Sequence, residues 1–369
     1  METVIIFILI LGLLILVHEL GHFISAIKLK VDVEEFAIGF PPKIFSWKRN
    51  GIKYSINWIP MGGFVKIKGE QGEGLDDPRS FVNQAAWKKI LIVSAGVLMN
   101  FFLAFILLSI VFMAGFPQEL TADISQANVR DKNVVILQIT ENSPAAQVGL
   151  EVGDKIRKIN GQTFESDEDI YAQLEFLRGE EITLVVLKNN DQEAIYNLKH
   201  EVLEEGTESR LGIGITETGI VDYGFWGSIV QGFEVTVFMI ANIVKALYHL
   251  LANLITKGDL AEGFGGPVAV AVITGQIVKL GFIHIIYFAA LLSINLGVIN
   301  FFPFPALDGG RALFILAQAV TRKKLNEKVE AWIHNSGFII LIILLIVITF
   351  RDFTIYGAGI WQTIQSWFM

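Results

Sequence analysis

The 369-residue sequence contains no cysteine, and only 18% of its residues are charged. Without cysteine there is no disulfide framework, no thiolate metal site and no cysteine nucleophile, so any metal must be bound by histidine, aspartate or glutamate. Hydrophobic residues make up 53% of the chain, a share that soluble globular domains rarely reach. The composition therefore predicts a membrane protein and argues against a nucleic-acid partner.

Four apolar segments are long enough to cross a bilayer, which takes about 20 helical residues. They cover residues 3–27, 90–115, 283–303 and 332–350. The first is expected to be a retained helix and not a signal peptide, because Glu2 replaces the usual basic start and no small-residue cleavage site follows. A fifth apolar segment, 225–255, contains Glu234, Lys245 and His249. It suits either a span or a helix at the membrane surface.

Basic and acidic residues are separated along the chain, and this separation predicts the topology. Residues 28–89 hold 11 Lys/Arg against 7 Asp/Glu, whereas residues 116–222 hold 9 against 21. Short loops rich in Lys and Arg stay in the cytoplasm, so 28–89 and the basic loop 311–331 are expected inside, and the N-terminus and the acidic region outside. Only one crossing then fits between the acidic region and the basic loop, which places 225–255 at the membrane surface.

The segment His18-Glu19-Leu20-Gly21-His22 follows the first apolar run and has the HExxH pattern. Histidines four residues apart lie on one helix face and can both bind a zinc ion, while Glu19 points to the same side as a catalytic acid/base. The alternative is that the histidines only hydrogen-bond neighbouring helices. Ionisable residues inside a span are costly unless they serve a site, so the pattern favours a metal centre.

A catalytic zinc takes three protein ligands and leaves one position open, and the third is predicted to be Asp308. It follows two prolines and precedes two glycines in Asn300-Phe-Phe-Pro-Phe-Pro-Ala-Leu-Asp308-Gly-Gly. Prolines break the helix, and non-helical backbone at membrane depth is tolerated where it lines a site. The alternative is a loop aspartate that caps the next helix.

Two further patterns identify the chain by resemblance. Residues 134–164, VVILQITENSPAAQVGLEVGDKIRKINGQTF, resemble a PDZ domain. Together with the HExxH and NxxPxPxLDGG motifs, they make nearly the whole chain similar to the site-2 protease family of intramembrane zinc metalloproteases, of the RseP-like kind. RseP-like members usually carry two PDZ domains, whereas only one copy is found here.

The resemblance implies a function and a site. It implies that His18, His22 and Asp308 bind Zn²⁺, that Glu19 is the catalytic base, and that Asn300 contacts the substrate backbone. It implies an endopeptidase of the bacterial inner membrane that cleaves single-span proteins, such as anti-sigma factors, or remnant signal peptides. The active site would face the cytoplasm, and the PDZ domain would bind a peptide outside or act as a passive spacer.

The predicted fold is a multi-span α-helical membrane protein with four transmembrane helices, a membrane-associated cytoplasmic β-sheet and one inserted extracytoplasmic α+β domain. The expected division is 1–30, first transmembrane helix; 31–86, β region and loop; 87–116, second transmembrane helix; 121–205, PDZ domain; 220–280, interfacial helix and connector; 281–310, third transmembrane helix; 311–331, cytoplasmic loop; and 332–369, fourth transmembrane helix and tail.

Two other function classes fit parts of the sequence. A zinc or proton transporter would also place His and Asp within spans, but it would have no use for Glu19 between the histidines. A peptide-binding scaffold without activity would need the PDZ domain alone. Zinc content and the loss of cleavage in Glu19→Gln separate these classes from a protease.

Overall fold

The structure is a computed structural model that describes residues 2–70, 76–120, 127–140, 143–164, 166–177, 180–188, 192–199, 211–257, 265–322 and 327–365. Its elements are α1 (Glu2–Lys28), β1 (Val33–Arg49), β2 (Ile52–Ile67), α2 (Ala86–Ala114), β3 (Phe116–Glu119), β4 (Asn128–Ile139), α3 (Pro144–Gln147), β5 (Lys155–Ile159), α4 (Asp167–Phe176), β6 (Glu181–Leu187), β7 (Glu193–Lys199), β8 (Ile213–Asp222), α5 (Gly224–Lys257), α6 (Pro267–Leu280), α7 (Phe282–Phe301), α8 (Asp308–Thr321) and α9 (Glu327–Gln365). Part of the predicted loop at 71–80, and Lys323 and Lys324 of the basic loop, lie outside the described residues.

The chain forms two compact units, one of residues 1–109 with 229–369 and one of residues 110–228. The first unit is helical apart from the β1–β2 hairpin. Among the described residues, five helices are long and apolar enough to cross a membrane: Glu2–Lys28, Ala86–Ala114, Gly224–Leu250, Phe282–Phe301 and Val329–Gly357. The protein is therefore a multi-pass membrane protein by the length and composition of its helices.

A small apolar core joins three of these helices in the first half of α1. Ile10 and Leu14 of α1 pack with Phe288 and Ala289 of α7, and Leu103 and Leu107 of α2 lie against the same cluster. Because these helices are apolar all round, their contacts depend on side-chain shape and not on a single hydrophobic stripe. The packing holds α1, α2 and α7 side by side.

The β1–β2 hairpin turns at Asn50-Gly51, where both residues have positive φ, and Asn-Gly is a strong hairpin signal. Residues 35–38 of β1 pair on one side with 63–66 and on the other with 53–56 of β2. The hairpin therefore folds back on itself, and residues 63–66 lie at an edge. Val33 and Ile67 pack with Ala26 of α1 in a buried apolar cluster, which attaches this part of the hairpin to the end of the first helix.

The second unit contains a six-stranded antiparallel sheet in the order β3-β8-β4-β5-β6-β7. Alternate residues of its strands are buried, as in the fully buried Ile182, Leu184 and Val186 of β6. They pack with Ile170 and Leu174 of α4 in one apolar core. Ser166 accepts a hydrogen bond from the backbone N–H of Asp169 and so caps α4.

Much of the first half of the segment predicted as the cytoplasmic loop, 311–331, is helical, because α8 runs from Asp308 to Thr321. Ala312, Ala317 and Ala319 favour helix, and Ile315 is buried against the cluster that holds Ala26. Basic composition indicated a loop, but the apolar residues have helical spacing. The last helix is also longer than the predicted span, since it begins at Glu327 and reaches Gln365.

Candidate metal centre

The three predicted metal ligands come together from two helices. His18 and His22 are buried in the second half of α1, and Asp308 is the first residue of α8. Their ligand atoms all lie within 4.8 Å of one another, and within the described part of the chain no other group of three such residues is found. Two prolines and a turn lie between α7 and α8, so the chain reverses and returns Asp308 to α1.

Three atoms that can each donate a lone pair to one metal ion lie close together. His18 Nε2 lies 3.1 Å from His22 Nε2 and 2.9 Å from Asp308 Oδ2, and His22 Nε2 lies 3.4 Å from the same oxygen. Asp308 Oδ2 is buried without a hydrogen bond of acceptable geometry. Buried acceptors of this kind need a donor or a cation. Two imidazoles and a carboxylate are a ligand set that zinc accepts, so the residues fit the metal.

The opposite nitrogens of both imidazoles face α2. His22 Nδ1 lies 2.8 Å from the backbone carbonyl oxygen of Ile92, and His18 Nδ1 lies 3.3 Å from the side-chain amide of Asn100. A histidine that donates Nδ1–H has the lone pair of Nε2 free for a metal. The sequence reasoning missed Ile92 and assigned no role to Asn100, although a polar residue inside an apolar span is a recognisable signal.

Glycines of α1 and α2 make room for the imidazoles. A Cβ on Gly96 would lie 2.4 Å from His22 Nε2 and 2.8 Å from His18 Cε1. A Cβ on Gly21 would lie 2.3 Å from the carbonyl oxygen of Ala95. Small residues let two membrane helices approach closely, and here α2 packs directly against the turn of α1 that carries the HExxH motif.

Glu19 is held by the edge of the β1–β2 hairpin. Its Oε2 accepts a hydrogen bond of 3.0 Å from the backbone N–H of Val65. Val65 belongs to the 63–66 edge of β2, so the outward face of this edge lies beside the carboxylate. Asn300 is in the last turn of α7, and in the described structure no hydrogen bond joins its side chain to His18, His22 or Asp308.

The match to known families decides the identity. The model of peptidase family M50 matches residues 6–344. The chain belongs to peptidase family M50. This is the site-2 protease family expected from the motifs, and the protein is a zinc metalloprotease whose cofactor is Zn²⁺.

Relatives of this M50 protein match it almost end to end. A Clostridium acetobutylicum protein named as a zinc metalloprotease is 36% identical over 350 residues, 95% of this chain and 97% of the relative. The Regulator of sigma-W protease RasP of Bacillus subtilis is 30% identical over 434 positions, covering 95% of this chain and 98% of the relative. That alignment is longer than this 369-residue chain, so the relative carries insertions.

A solved structure also matches part of the M50 protein. The PDZ domain of an SdrC-like protein from Listeria monocytogenes is 22% identical, covers 24% of this chain and 92% of the solved chain, and has a TM-score of 0.22. Similarity at this level adds nothing to the fold described above.

Proposed function

We propose that His18, His22 and Asp308 hold the zinc and that Glu19 is the catalytic acid/base of an intramembrane endopeptidase. The observation that carries the proposal is the Oδ2 of Asp308, which is buried without a hydrogen bond of acceptable geometry and lies beside the Nε2 atoms of both histidines. Zinc held by these three residues would supply Lewis-acid chemistry, which polarises the scissile carbonyl and makes an attacking water more acidic. Glu19 accepts a proton from the attacking water and returns it to the leaving amine.

The hairpin positions both the base and the substrate. The Val65 N–H holds one oxygen of Glu19, which restricts the carboxylate. A helical substrate hides its carbonyls in internal hydrogen bonds, so it must be unwound before attack. The 63–66 edge of β2 can pair with the extended segment, and Asn300 at the end of α7 donates a hydrogen bond to its backbone.

The substrates are single-span membrane proteins such as anti-sigma factors, or remnant signal peptides. Relatives include a protein named as a regulator of sigma-W protease, which supports the first class. The second unit, with its acidic surface, is proposed as an extracytoplasmic PDZ domain that binds an extended or C-terminal peptide. Residues 134–164 have the PDZ-like sequence pattern, and domains of this kind bind extended peptides by strand addition.

The proposed topology has four spans in the bacterial inner membrane, with α5 at the membrane surface. His334 of α9 accepts a hydrogen bond from the N–H of Ala306 beside the site, whereas Asp352, about 27 Å further along the helix, contacts Gly266 and Ala269 of α6. Gly275 of α6 lies beside Thr3 at the far end of α1. The start of α6 is therefore remote from the site, as expected when α5 does not cross.

The test compares full-length wild-type protein with Glu19→Gln on a single-span substrate that has a short ectodomain, with bound zinc quantified in both. We expect cleavage only by the wild type and zinc in both, because glutamine keeps the shape of the side chain and cannot take a proton. Glu2→Gln makes the same change at the exposed start of α1 and should leave cleavage intact. Cleavage by Glu19→Gln at the wild-type rate would contradict the role of Glu19.

A further inference from the structure

Asn100 is fully buried in α2, an apolar helix, and its amide lies against His18. Its Nδ2 is placed 3.3 Å from His18 Nδ1, while its Oδ1 is buried without a hydrogen-bond partner. The oxygen and nitrogen of an asparagine amide have nearly the same shape, so which of them faces the ring is decided by hydrogen-bond chemistry.

The chemistry of His18 decides this orientation. A metal takes the lone pair of Nε2, so the proton of the neutral ring is on Nδ1. An amide N–H₂ facing that N–H would put two donors together, whereas the amide oxygen can accept from it. Either orientation leaves one end of the amide without a partner, so the contact with His18 selects the oxygen.

We propose that Asn100 is a positioning residue that accepts the Nδ1–H of His18 and thereby presents Nε2 to the zinc. This inference rests on the proposed function, in which His18 is a zinc ligand. Outer partners of this kind fix the tautomer and ring orientation of metal-binding histidines. Asn100 acts through His18 and takes no direct part in the reaction.

One face of α2 then controls both histidines. Ile92, Gly96 and Asn100 are spaced four residues apart and so lie along one side of the helix. The Ile92 carbonyl oxygen accepts from His22 Nδ1–H at 2.8 Å, Gly96 leaves space for both rings, and Asn100 accepts from His18. A second hydrogen bond, from Ser293 Oγ to the backbone oxygen of Asn100 at 2.8 Å, attaches this turn of α2 to α7.

The experiment measures the zinc affinity of the full-length protein in detergent by competition with a chelator of known affinity. Asn100→Leu removes the acceptor, and we expect it to weaken zinc binding by about 10- to 100-fold, the usual effect of losing an outer partner. Asn100→Asp keeps an acceptor and removes the amide donor, so its zinc affinity should remain at least as high as that of the wild type. If Asn100→Leu does not fold, Asn100→Ala removes the same amide and has the same expectation.

Two controls separate the possible explanations. Ser293→Ala removes a buried hydrogen bond at the same residue without touching the amide, and it should leave zinc affinity unchanged. His18→Ala tests the proposed function itself: if zinc affinity survives this change, the ligand assignment fails. If His18→Ala loses zinc but Asn100→Leu retains it, or if Asn100→Asp loses as much as Asn100→Leu, only the role of Asn100 is overturned.

Discussion

At the scale of single residues, the missing side chain of Gly96 matters both for the packing of α2 against α1 and for the metal centre. Alanine there would place a Cβ 2.4 Å from His22 Nε2, closer than non-bonded atoms approach, and both rings are confined between α1 and α2. We expect Gly96→Ala to displace His22, a proposed zinc ligand, and to lower cleavage by about 100-fold, the effect of a misplacement of about 1 Å. Zinc content and the initial rate of substrate cleavage measure this.

The matched control is Gly357→Ala in α9. A Cβ at this position meets nothing within 4 Å, and alanine favours helix over glycine by about 1 kcal/mol. This variant should keep both zinc and activity. Equal zinc content and cleavage in Gly96→Ala and Gly357→Ala would show that the close approach of α2 is unimportant for the site.

At the scale of helices, Asp352 of α9 caps the start of α6. The helix begins at Pro267, and Gly266 before it has no side chain to accept the free N–H groups. The carboxylate of Asp352, 1% exposed, accepts from the backbone N–H of Gly266 at 3.2 Å and of Ala269 at 2.9 Å. A negative charge also suits the helix N-terminus. The two helices are therefore attached by one buried side chain.

Asp352→Ala leaves these N–H groups without acceptors, and we expect it to reduce the free energy of unfolding by about 1–2 kcal/mol. Asp352→Asn retains one acceptor oxygen and should lose less. Arg351→Ala, one residue earlier on the same helix, should have little effect. Thermal unfolding in detergent compares the three variants, and equal unfolding temperatures for Asp352→Ala and Arg351→Ala would rule out the cap.

At the scale of the whole molecule, the absence of cysteine allows the topology to be mapped with single cysteines. Four exposed positions distinguish the proposed four-span topology from one in which α5 also crosses the membrane. They are Arg79, Ile195, Phe282 and Val320. With four spans, cysteines at 195 and 282 react with a membrane-impermeant maleimide in intact cells. Those at 79 and 320 react only after the inner membrane is opened. If α5 crosses, 282 and 320 exchange sides, so protection of 282 in intact cells would overturn the four-span topology.

The sequence alone was sufficient to predict the helices that are marked by a continuous apolar run. An apolar run of about 20 residues identifies a span wherever it lies, so α1, α2 and α7 were predicted within a few residues of their observed ends. The basic segment after Asp308 was interpreted by its charge, and so the helix α8 was missed. The choice of Asp308 as a candidate ligand needed only its motif and its predicted side of the membrane.

The residues that surround the ligands could not be predicted in the same way. The Ile92 carbonyl, the space at Gly96 and the Val65 N–H are backbone features, and any residue type can provide a backbone group. Which of these groups meets His18, His22 or Glu19 depends on how α2 and the hairpin pack against α1. The residues concerned are 46 to 78 positions away in the sequence from those they contact.

The sequence by itself determined that this protein is a membrane-embedded zinc metalloprotease, because apolar length and the HExxH spacing are properties of short stretches of chain. Only the tertiary structure decided how the centre is assembled. Asp308 reaches the histidines through the turn between α7 and α8, α2 contacts the outer nitrogens of both rings, and the edge of β2 holds Glu19. Such contacts join distant segments, and packing of the whole helical unit sets their distances.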